Sequence, residues 1–163
     1  MAWIDRWLKY ASDFAVQQEA FNRGMFNTIE PLKVYGTITA QELASLLPST
    51  YVGWDGKTYQ VRKDIGFDTQ YNLTSIEEVR RFLRWCTVDL RQYTKDNYDC
   101  EDYAISTWGD YKKVGNNSIL GFMIVEGHAQ NWVLDYKKQF YYPEPQSDVV
   151  KPGLPARAAH FIL

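Results

Sequence analysis

Apolar residues recur at helical spacing near the start of the chain. Between residues 3 and 21 this periodicity predicts an amphipathic helix that ends near Gly24. Its apolar stripe either covers the domain's own core or docks onto a partner protein. The stripe consists of Trp3, Ile4, Trp7, Leu8, Ala11, Phe14, Ala15 and Phe21.

Two capping boxes predict further helices. Thr39-Ala-Gln-Glu42 precedes three leucines and predicts a short helix that runs to about Pro48. Ser75-Ile-Glu-Glu78 precedes a longer apolar stripe, which places Cys86 in the core. A further helix is predicted to begin at Cys100 and to end at Gly115. The stripe behind the second box consists of Ile76, Val79, Phe82, Leu83, Cys86 and Leu90.

The remaining patterns are typical of strands. Residues 51–61 predict a hairpin that turns at Asp55-Gly56, where a type I′ turn needs positive φ. Residues 118–126, 129–136 and 139–142 are rich in β-forming residues and predict an antiparallel meander. The proline-containing C-terminal tail is predicted to be mostly extended or looped.

The composition narrows the class of protein. A chain of 163 residues with 45% apolar residues has the size and composition of one globular domain. A net charge of -2 disfavours nucleic acid or an anionic membrane as the main partner. Asp5, Arg6 and Lys9 interrupt the apolar run that a signal peptide needs, and no run has the length of a membrane span, so a cytoplasmic protein is expected. Two cysteines are too few for a disulfide framework, and two free thiols are favoured over one bridge.

The stretch Asn97-Tyr-Asp-Cys-Glu-Asp-Tyr-Ala104 places a thiol among carboxylates at a predicted helix start. The first turn of a helix favours a thiolate, so Cys100 is a candidate nucleophile. Of the two histidines, His128 at a strand start is a better candidate for the base than His160 in the tail. Glu144, after the next strand, is a candidate for the group that orients the imidazole.

The length of one loop decides whether Glu144 can reach His128. Side chains on a strand alternate, so His128 shares a face with Gln130, whereas Asn131 points to the other side. A two-residue loop at Lys137-Lys138 would put Glu144 opposite Asn131, on the wrong face. One more loop residue would put Glu144 opposite Gln130, so the triad requires an odd loop or a bulge.

Three short motifs occur in a characteristic order. They are Asp99-Cys-Glu-Asp-Tyr-Ala104, then Gly127-His-Ala-Gln-Asn131, then Glu144-Pro-Gln146. In this order they resemble the papain-like and transglutaminase-like cysteine peptidase superfamily. Within it, the chain is most similar to the papain-like C-terminal domain of a fungal agglutinin and to small relatives, some encoded by phages. The resemblance covers about residues 95–147.

The resemblance implies a fold as well as an activity. The expected class is α+β, with the nucleophile helix packed on a small antiparallel sheet and a helical N-terminal region. Residues 1–163 are then one domain, with a cysteine-peptidase-like core over 75–147. Residues 1–70 form a helix and hairpin region that carries no recognised motif.

The implied activity is that of a cysteine hydrolase, a thiol protease acting on a peptide or protein through a thioester. Carried over by position, the nucleophile is Cys100, the general base His128 and the orienting acid Glu144. Acyl transfer of the transglutaminase type remains open, as do a catalytically silent binding or assembly protein and a phage-encoded inhibitor of a host defence. Candidate oxyanion donors are Asn97 and Gln92, with Gln146 and Gln130 as local alternatives.

The acidic residues around the thiol oppose formation of the thiolate. Like-charge repulsion from Asp99, Glu101 and Asp102 is expected to raise the pKa of Cys100. The acids are explained either by favourable interaction with the helix dipole, by substrate contact, or by binding of a hard cation. The agglutinin domain that the chain resembles is a calcium-dependent protease, which implies Ca²⁺, and Asp102 is the preferred ligand.

Overall fold

The computed structural model describes residues 29–66, 68–95 and 98–163. The predicted helix over residues 3–21, and the partner docking proposed for it, lie outside the described residues. Within the described ranges, three α-helices and ten strands form a mixed α+β structure. No helix in this part of the chain is long and apolar enough to cross a membrane.

The helices begin where the capping boxes predict. They are α1 (Ala40–Leu46), α2 (Ile76–Trp85) and α3 (Cys100–Val114). The Thr39 hydroxyl accepts the N–H of Glu42 at 3.1 Å, and the Ser75 hydroxyl accepts the N–H of Glu78 at 3.2 Å. The N-cap half of each box is therefore confirmed, because each side-chain oxygen satisfies an N–H that lacks an intrahelical partner, whereas the carboxylates of Glu42 and Glu78 bind Lys138, and Lys33 and Arg81, respectively.

Helix α2 is shorter than its apolar stripe predicts. The helix ends at Trp85, and the N–H of Cys86 closes it by donating to the Phe82 carbonyl at 2.8 Å. Leu90 belongs instead to a separate 3₁₀ turn, Val88–Leu90, and is only half-buried. Cys86 is 3% exposed, which confirms its predicted place in the core.

Ten strands form three sheets. A six-stranded sheet has the order β4-β10-β6-β7-β8-β9, and the pairs β1-β5 and β2-β3 form two smaller sheets. In the large sheet only β10 and β4 run parallel. The strands are β1 (Gly36–Thr39), β2 (Thr50–Val52), β3 (Thr58–Gln60), β4 (Arg62–Asp64), β5 (Gln70–Leu73), β6 (Gly121–Val125), β7 (His128–Leu134), β8 (Phe140–Glu144), β9 (Val149–Pro152) and β10 (Ala158–Ile162).

The predicted meander is present as β6-β7-β8. The sequence predicts a tail that is mostly extended or looped. In the structure, two extended stretches of the tail join the large sheet, β9 beside β8 and β10 beside β6. Strand β4 comes from the N-terminal region, so the sheet extends beyond residues 75–147 on both sides. Pro152 is tolerated because β9 lies at an edge of the sheet.

The hairpin β2-β3 turns where predicted but with another turn type. Gly56 takes φ 75°, while Asp55 is not among the residues with positive φ. The N–H of Gly56 donates to the Gly53 carbonyl at 3.0 Å, so the turn spans residues 53–56. A type I′ turn needs positive φ at both central residues, and the predicted I′ turn is therefore wrong.

Apolar clusters cover the large sheet on both faces. Trp132 and Val133 are neighbours on β7 whose side chains point to opposite faces, and both are fully buried. Trp132 packs in a cluster with Leu43 of α1 and Phe161 of β10. Val133 packs with α2 and α3, in a cluster that includes Phe82 and Tyr111. Helix α3 is thus held against the strand that carries His128.

Candidate active site

Cys100 is the first residue of helix α3 and is half-buried. Asp99 is the N-cap, and its N–H donates to the Asp102 carboxylate at 3.2 Å, so Asp102 folds back on the start of the helix. Backbone N–H groups in a first turn have no intrahelical acceptor. The local sequence thus places the thiol at the positive end of the helix dipole.

The loop between β7 and β8 has the odd length that the triad requires. The N–H of Asp135 donates to the Gln139 carbonyl at 3.0 Å, which leaves residues 136–138 as a three-residue loop. Lys138 takes φ 58°, as a loop of this length demands at its last position. Val133 lies opposite Tyr141, and the same register continued places Gln130 opposite Glu144. Glu144 is therefore on the face of His128.

The Glu144 carboxylate binds two side chains of β7 with one oxygen. Its Oε2 lies 3.0 Å from Nε2 of His128 and accepts Nε2 of Gln130 at 3.1 Å. Its Oε1 accepts the N–H of Gln146 at 3.4 Å. Sequence reasoning missed this role of Gln130, although the shared face with His128 was a usable signal.

Each partner shifts the pKa of the other. The hydrogen bond to Glu144 raises the pKa of His128 above its ordinary value, against the opposing effect of burial. Burial favours the neutral form of Glu144, but hydrogen bonds from His128 and Gln130 outweigh it and lower the pKa of Glu144. The contact therefore favours the charged form of each partner, and it holds the imidazole in one orientation.

The thiol lies beside the residue that follows His128. The backbone N–H of Ala129 acts to lower the pKa of the Cys100 thiol, and the thiol donates to Oε2 of Glu101 at 3.3 Å. No hydrogen bond joins the Cys100 thiol to His128 in the described part of the chain. Because Glu144 occupies Nε2, Nδ1 is the ring nitrogen left for the thiol.

The pKa of the Cys100 thiol is raised above its ordinary value. Burial is the main cause, the Ala129 N–H opposes it, and the hydrogen bond to Glu101 adds to it. The expected opposition between the acids and the thiolate is present, but burial contributes more. The resting thiol is thus protonated at neutral pH.

A buried amide fixes α3 against the sheet. Nδ2 of Asn131 donates to the Ala104 carbonyl of α3 at 2.9 Å and to the Gly121 carbonyl of β6 at 3.1 Å. Asn131 has no exposed surface and points away from His128, as strand alternation predicts. It does not orient the imidazole but sets the position of the helix that carries Cys100.

The candidate oxyanion donors are only partly placed. Asn97 lies outside the described residues. Gln92 is exposed and makes no hydrogen bond within the described ranges, and the structure gives no contact between it and Cys100. The side chain of Gln130 and the N–H of Gln146 are both used by Glu144. The N–H of Cys100 itself remains as a donor at the helix start.

The acids near the thiol form a small cluster that differs from the predicted set. Ligand atoms of Asp99, Cys100 and Glu101 lie within 4.8 Å of one another, whereas Asp102, the preferred ligand, is not in this group. The neighbouring Asp99 carboxyl lowers the pKa of Glu101. Calcium takes about 6–8 oxygen ligands, and two carboxylates with a soft thiol fall short of that number. The described residues alone do not fit Ca²⁺.

Comparison with known proteins gives a fold likeness. No family model matches the chain, and no curated protein matches it. Among solved structures, the complex of PSL1a with E64 is similar with a TM-score of 0.58 at 15% identity, over 78% of this chain and 50% of that one.

A second similar structure is the Polyporus squamosus lectin bound to the human-type influenza-binding epitope Neu5Aca2-6Galb1-4GlcNAc. Its TM-score is 0.55 at 14% identity, over 78% of this chain and 49% of that one. The chain therefore spans about half the length of these two structures. At this level of identity the likeness shows a shared fold.

Proposed function

We propose that this chain is a cysteine hydrolase with a papain-like or transglutaminase-like fold, acting on peptides or proteins through Cys100, His128 and Glu144. The observation that carries the proposal is the contact of Glu144 with Nε2 of His128 at 3.0 Å, on the strand whose Ala129 N–H acts on the pKa of the Cys100 thiol. Nucleophilic catalysis requires an oriented imidazole that can reach a thiol, and this chain provides the oriented imidazole and a half-buried thiol at a helix start.

The fold likeness adds support from a different direction. PSL1a was crystallised as a complex with E64, and E64 carries an epoxide, which a thiolate opens. A chain that shares this fold and places a thiol at the start of a helix is a reasonable target for the same compound. The proposal therefore comes with a direct chemical probe.

The proposed reaction follows from the protonation states. Because its pKa is raised, the thiol begins protonated, and Nδ1 of neutral His128 takes its proton as Sγ attacks the carbonyl carbon. The new C–S bond leaves an oxyanion near the N–H of Cys100, where the positive end of the α3 dipole stabilises it. Glu144 stabilises the imidazolium that has formed.

Three further proton transfers complete the cycle. The imidazolium gives its proton to the leaving amine as the C–N bond breaks, which leaves a thioester on Cys100. His128 then takes a proton from water as the oxygen attacks the thioester, and it returns that proton to sulfur as the C–S bond breaks, which releases a carboxylic acid and restores the thiol. If an added amine attacks in place of water, the same site performs acyl transfer, and product analysis with amine separates the two reactions.

A non-enzymatic binding module is the second candidate. The raised pKa of Cys100, with Glu101 hydrogen-bonded to the thiol, favours it. In that case the residues of the triad would hold β7, β8 and α3 together without turnover. Thiol reactivity distinguishes this module from the hydrolase, because only the hydrolase needs His128 to activate sulfur.

Labelling by E64 tests the proposal. We expect one E64 molecule to add to Cys100 and none to Cys86, as measured by intact-protein and peptide mass spectrometry. His128→Ala should slow labelling by at least about tenfold. His160→Ala is the matched control, because His160 also contacts a carboxylate, Asp64 at 2.8 Å, and should label normally.

The same assay tests calcium and the alternative. Because the acids near the thiol do not supply enough oxygen ligands, adding Ca²⁺ or EDTA should change the labelling rate by less than about twofold. If Cys100 reacts no faster than a small-molecule thiol, and equally fast in His128→Ala, the hydrolase proposal fails and the binding module is favoured.

A further inference from the structure

An open cleft of about 570 Å³ lies beside the candidate site. Its walls come from the hairpin β2-β3, from the end of β6 with the turn that follows it, and from the segment that leads into β10. The lining is mostly apolar and contains one basic side chain. Lining residues include Tyr51, Val52, Trp54, Val125, Pro155 and Arg157.

The strand register places one lining residue of this cleft beside His128. Val125, which lines the cleft, lies directly opposite His128 in the β6-β7 pair. Side chains of directly opposite residues share a face, with Cβ atoms about 4.5–5.5 Å apart. A peptide bound with its scissile bond at Cys100 and His128 would therefore pass the mouth of this cleft.

The hairpin wall of the cleft is fixed in place. Oε2 of Glu126 accepts the N–H of Trp54 at 3.1 Å, which ties the hairpin to the turn before His128. A Cβ added at Gly53 would lie 2.9 Å from Oε1 of Glu126, so the same carboxylate packs closely on the hairpin backbone. The Glu126 carboxylate thus holds the hairpin in place.

Arg157 is the charged group without such a partner. Its Cζ lies 3.4 Å from the centroid of the Trp54 ring, so the guanidinium is stacked on the indole. The ring holds the guanidinium but offers no acceptor. Within residues 29–66, 68–95 and 98–163, Arg157 makes no hydrogen bond and no ion pair, although it is half-buried. Its N–H donors therefore face a mostly apolar cleft, and the one carboxylate in the lining, Glu126, accepts the N–H of Trp54 instead.

We propose that this cleft binds an acidic side chain, Glu or Asp, of the peptide substrate through Arg157. The inference rests on the proposed function, because it makes Arg157 and Trp54 determinants of substrate specificity. A carboxylate matches the planar fork of a guanidinium with two parallel hydrogen bonds. The apolar walls strengthen the pair, and the stacked ring keeps the fork in position before the substrate arrives. A basic side chain would be repelled by the guanidinium of Arg157.

Binding without turnover tests the specificity separately from the proposed reaction. The full chain carrying Cys100→Ala is labelled with ¹⁵N and titrated with N-acetylated, C-amidated octapeptides of Ala and Ser. Each peptide has Glu, Gln or Lys at one position, which is scanned along the sequence. The indole N–H of Trp54 and the Nε–H of Arg157 report occupation of the cleft by their chemical shifts.

We expect saturable shifts with a Glu peptide, affinity at least about tenfold weaker for the matching Gln peptide, and no saturation with Lys. Arg157→Glu should reverse the order and favour Lys. Arg84→Glu is the matched control, since Arg84 is an exposed side chain on α2 and gives the same change in net charge. It should keep the preference for Glu.

Three outcomes would overturn the proposal. They are equal binding of Glu and Gln peptides, an unchanged preference in Arg157→Glu, and binding only of peptides with a free C-terminal carboxylate. Hydrolysis by the unmutated chain without charge preference would refute the cleft assignment alone. Charge-dependent binding by a chain that never cleaves would refute the hydrolase and leave the cleft assignment standing.

Discussion

The two thiols of this chain have the same kinds of neighbouring groups, but they lie at opposite ends of their helices. Each donates to a carboxylate, Cys100 to Glu101 at 3.3 Å and Cys86 to Asp110 at 3.8 Å. In each case a backbone N–H acts to lower the pKa of the thiol, that of Ala129 for Cys100 and that of Val88 for Cys86. Both have a raised pKa, with burial as the main cause, and that of Cys86 reaches about 12.

The difference lies in helix polarity, exposure and the neighbouring residue. Cys86 caps the C-terminal, negative end of α2 and is 3% exposed, whereas Cys100 begins α3 at its positive end and is half-buried. Only Cys100 lies beside a strand that carries an oriented histidine. A neighbouring carboxylate therefore does not distinguish the two thiols, and the helix end and His128 do.

Replacing each cysteine by alanine should give the largest difference in activity between the two sites. Cys100→Ala should lower peptide hydrolysis by at least about 10⁴-fold, because the nucleophile is lost. Cys86→Ala should keep kcat/KM per folded molecule and lose about 1 kcal/mol of unfolding free energy, because it leaves a small cavity. Hydrolysis assays and urea denaturation measure the two effects. Equal loss of activity in both variants would contradict the assignment.

Removing the imidazole should give the next largest effect. His128→Ala should lower kcat/KM by about 10²- to 10⁴-fold, the contribution typical of a general base. His160→Ala, which breaks the other histidine–carboxylate pair, should change activity little. Circular dichroism of both variants controls for folding. A larger loss in His160→Ala would mean that the wrong histidine has been assigned.

Neutralising the orienting acid should have a smaller effect with a defined pH signature. Glu144→Gln should reduce kcat/KM by about 10²-fold, because the imidazolium loses its counter-charge. The pKa of His128 should fall, since the contact with Glu144 is what raises it. Histidine Cε1 NMR titration measures that fall, and an unchanged pKa would contradict the contact.

The pH dependence of the unmutated protein follows from the same pair. His128 acts as a base only when neutral, so activity should rise on the alkaline side of its ordinary value of 6.5. For stability, the raised pKa of His128 gives a contribution that is complete below 6.5 and lost as pH rises through the folded-state pKa. The lowered pKa of Glu144 gives one that is present above 4.5 and lost as pH falls through its folded-state pKa. Urea midpoints between pH 3 and 9 should therefore be highest between these two transitions.

Neutralising the acid beside each thiol should give the smallest effect, a change in the alkylation rate of Cys100 but not of Cys86. Glu101→Gln removes a cause of the raised pKa of Cys100, so iodoacetamide alkylation at pH 7 should speed up about two- to fivefold. Asp110→Asn should leave Cys86 unreactive, because burial dominates there. Equal acceleration at both cysteines would show that charge, and not burial, sets their reactivity.

Local signals in the sequence were sufficient wherever one segment decides its own structure. The capping boxes at Thr39 and Ser75 predicted two helix starts, because a side-chain oxygen satisfies a backbone N–H three residues away. Local signals did not predict features that depend on a chain reversal or on the pairing of distant strands. The end of α2 at Trp85, the turn at Gly56 and the pairing of β9 and β10 were not predictable from periodicity.

The sequence by itself determined that Cys100 begins a helix, that Cys86 is buried, and that His128 begins a strand. Only the tertiary structure decided which residues meet. A three-residue loop put Glu144 on the face of His128, and one residue fewer would have turned it away, because side chains on a strand alternate at every residue. The stacking of Arg157 on Trp54 likewise joins segments far apart in the chain. Such contacts depend on how sheets and loops pack, and local propensity carries no information about them.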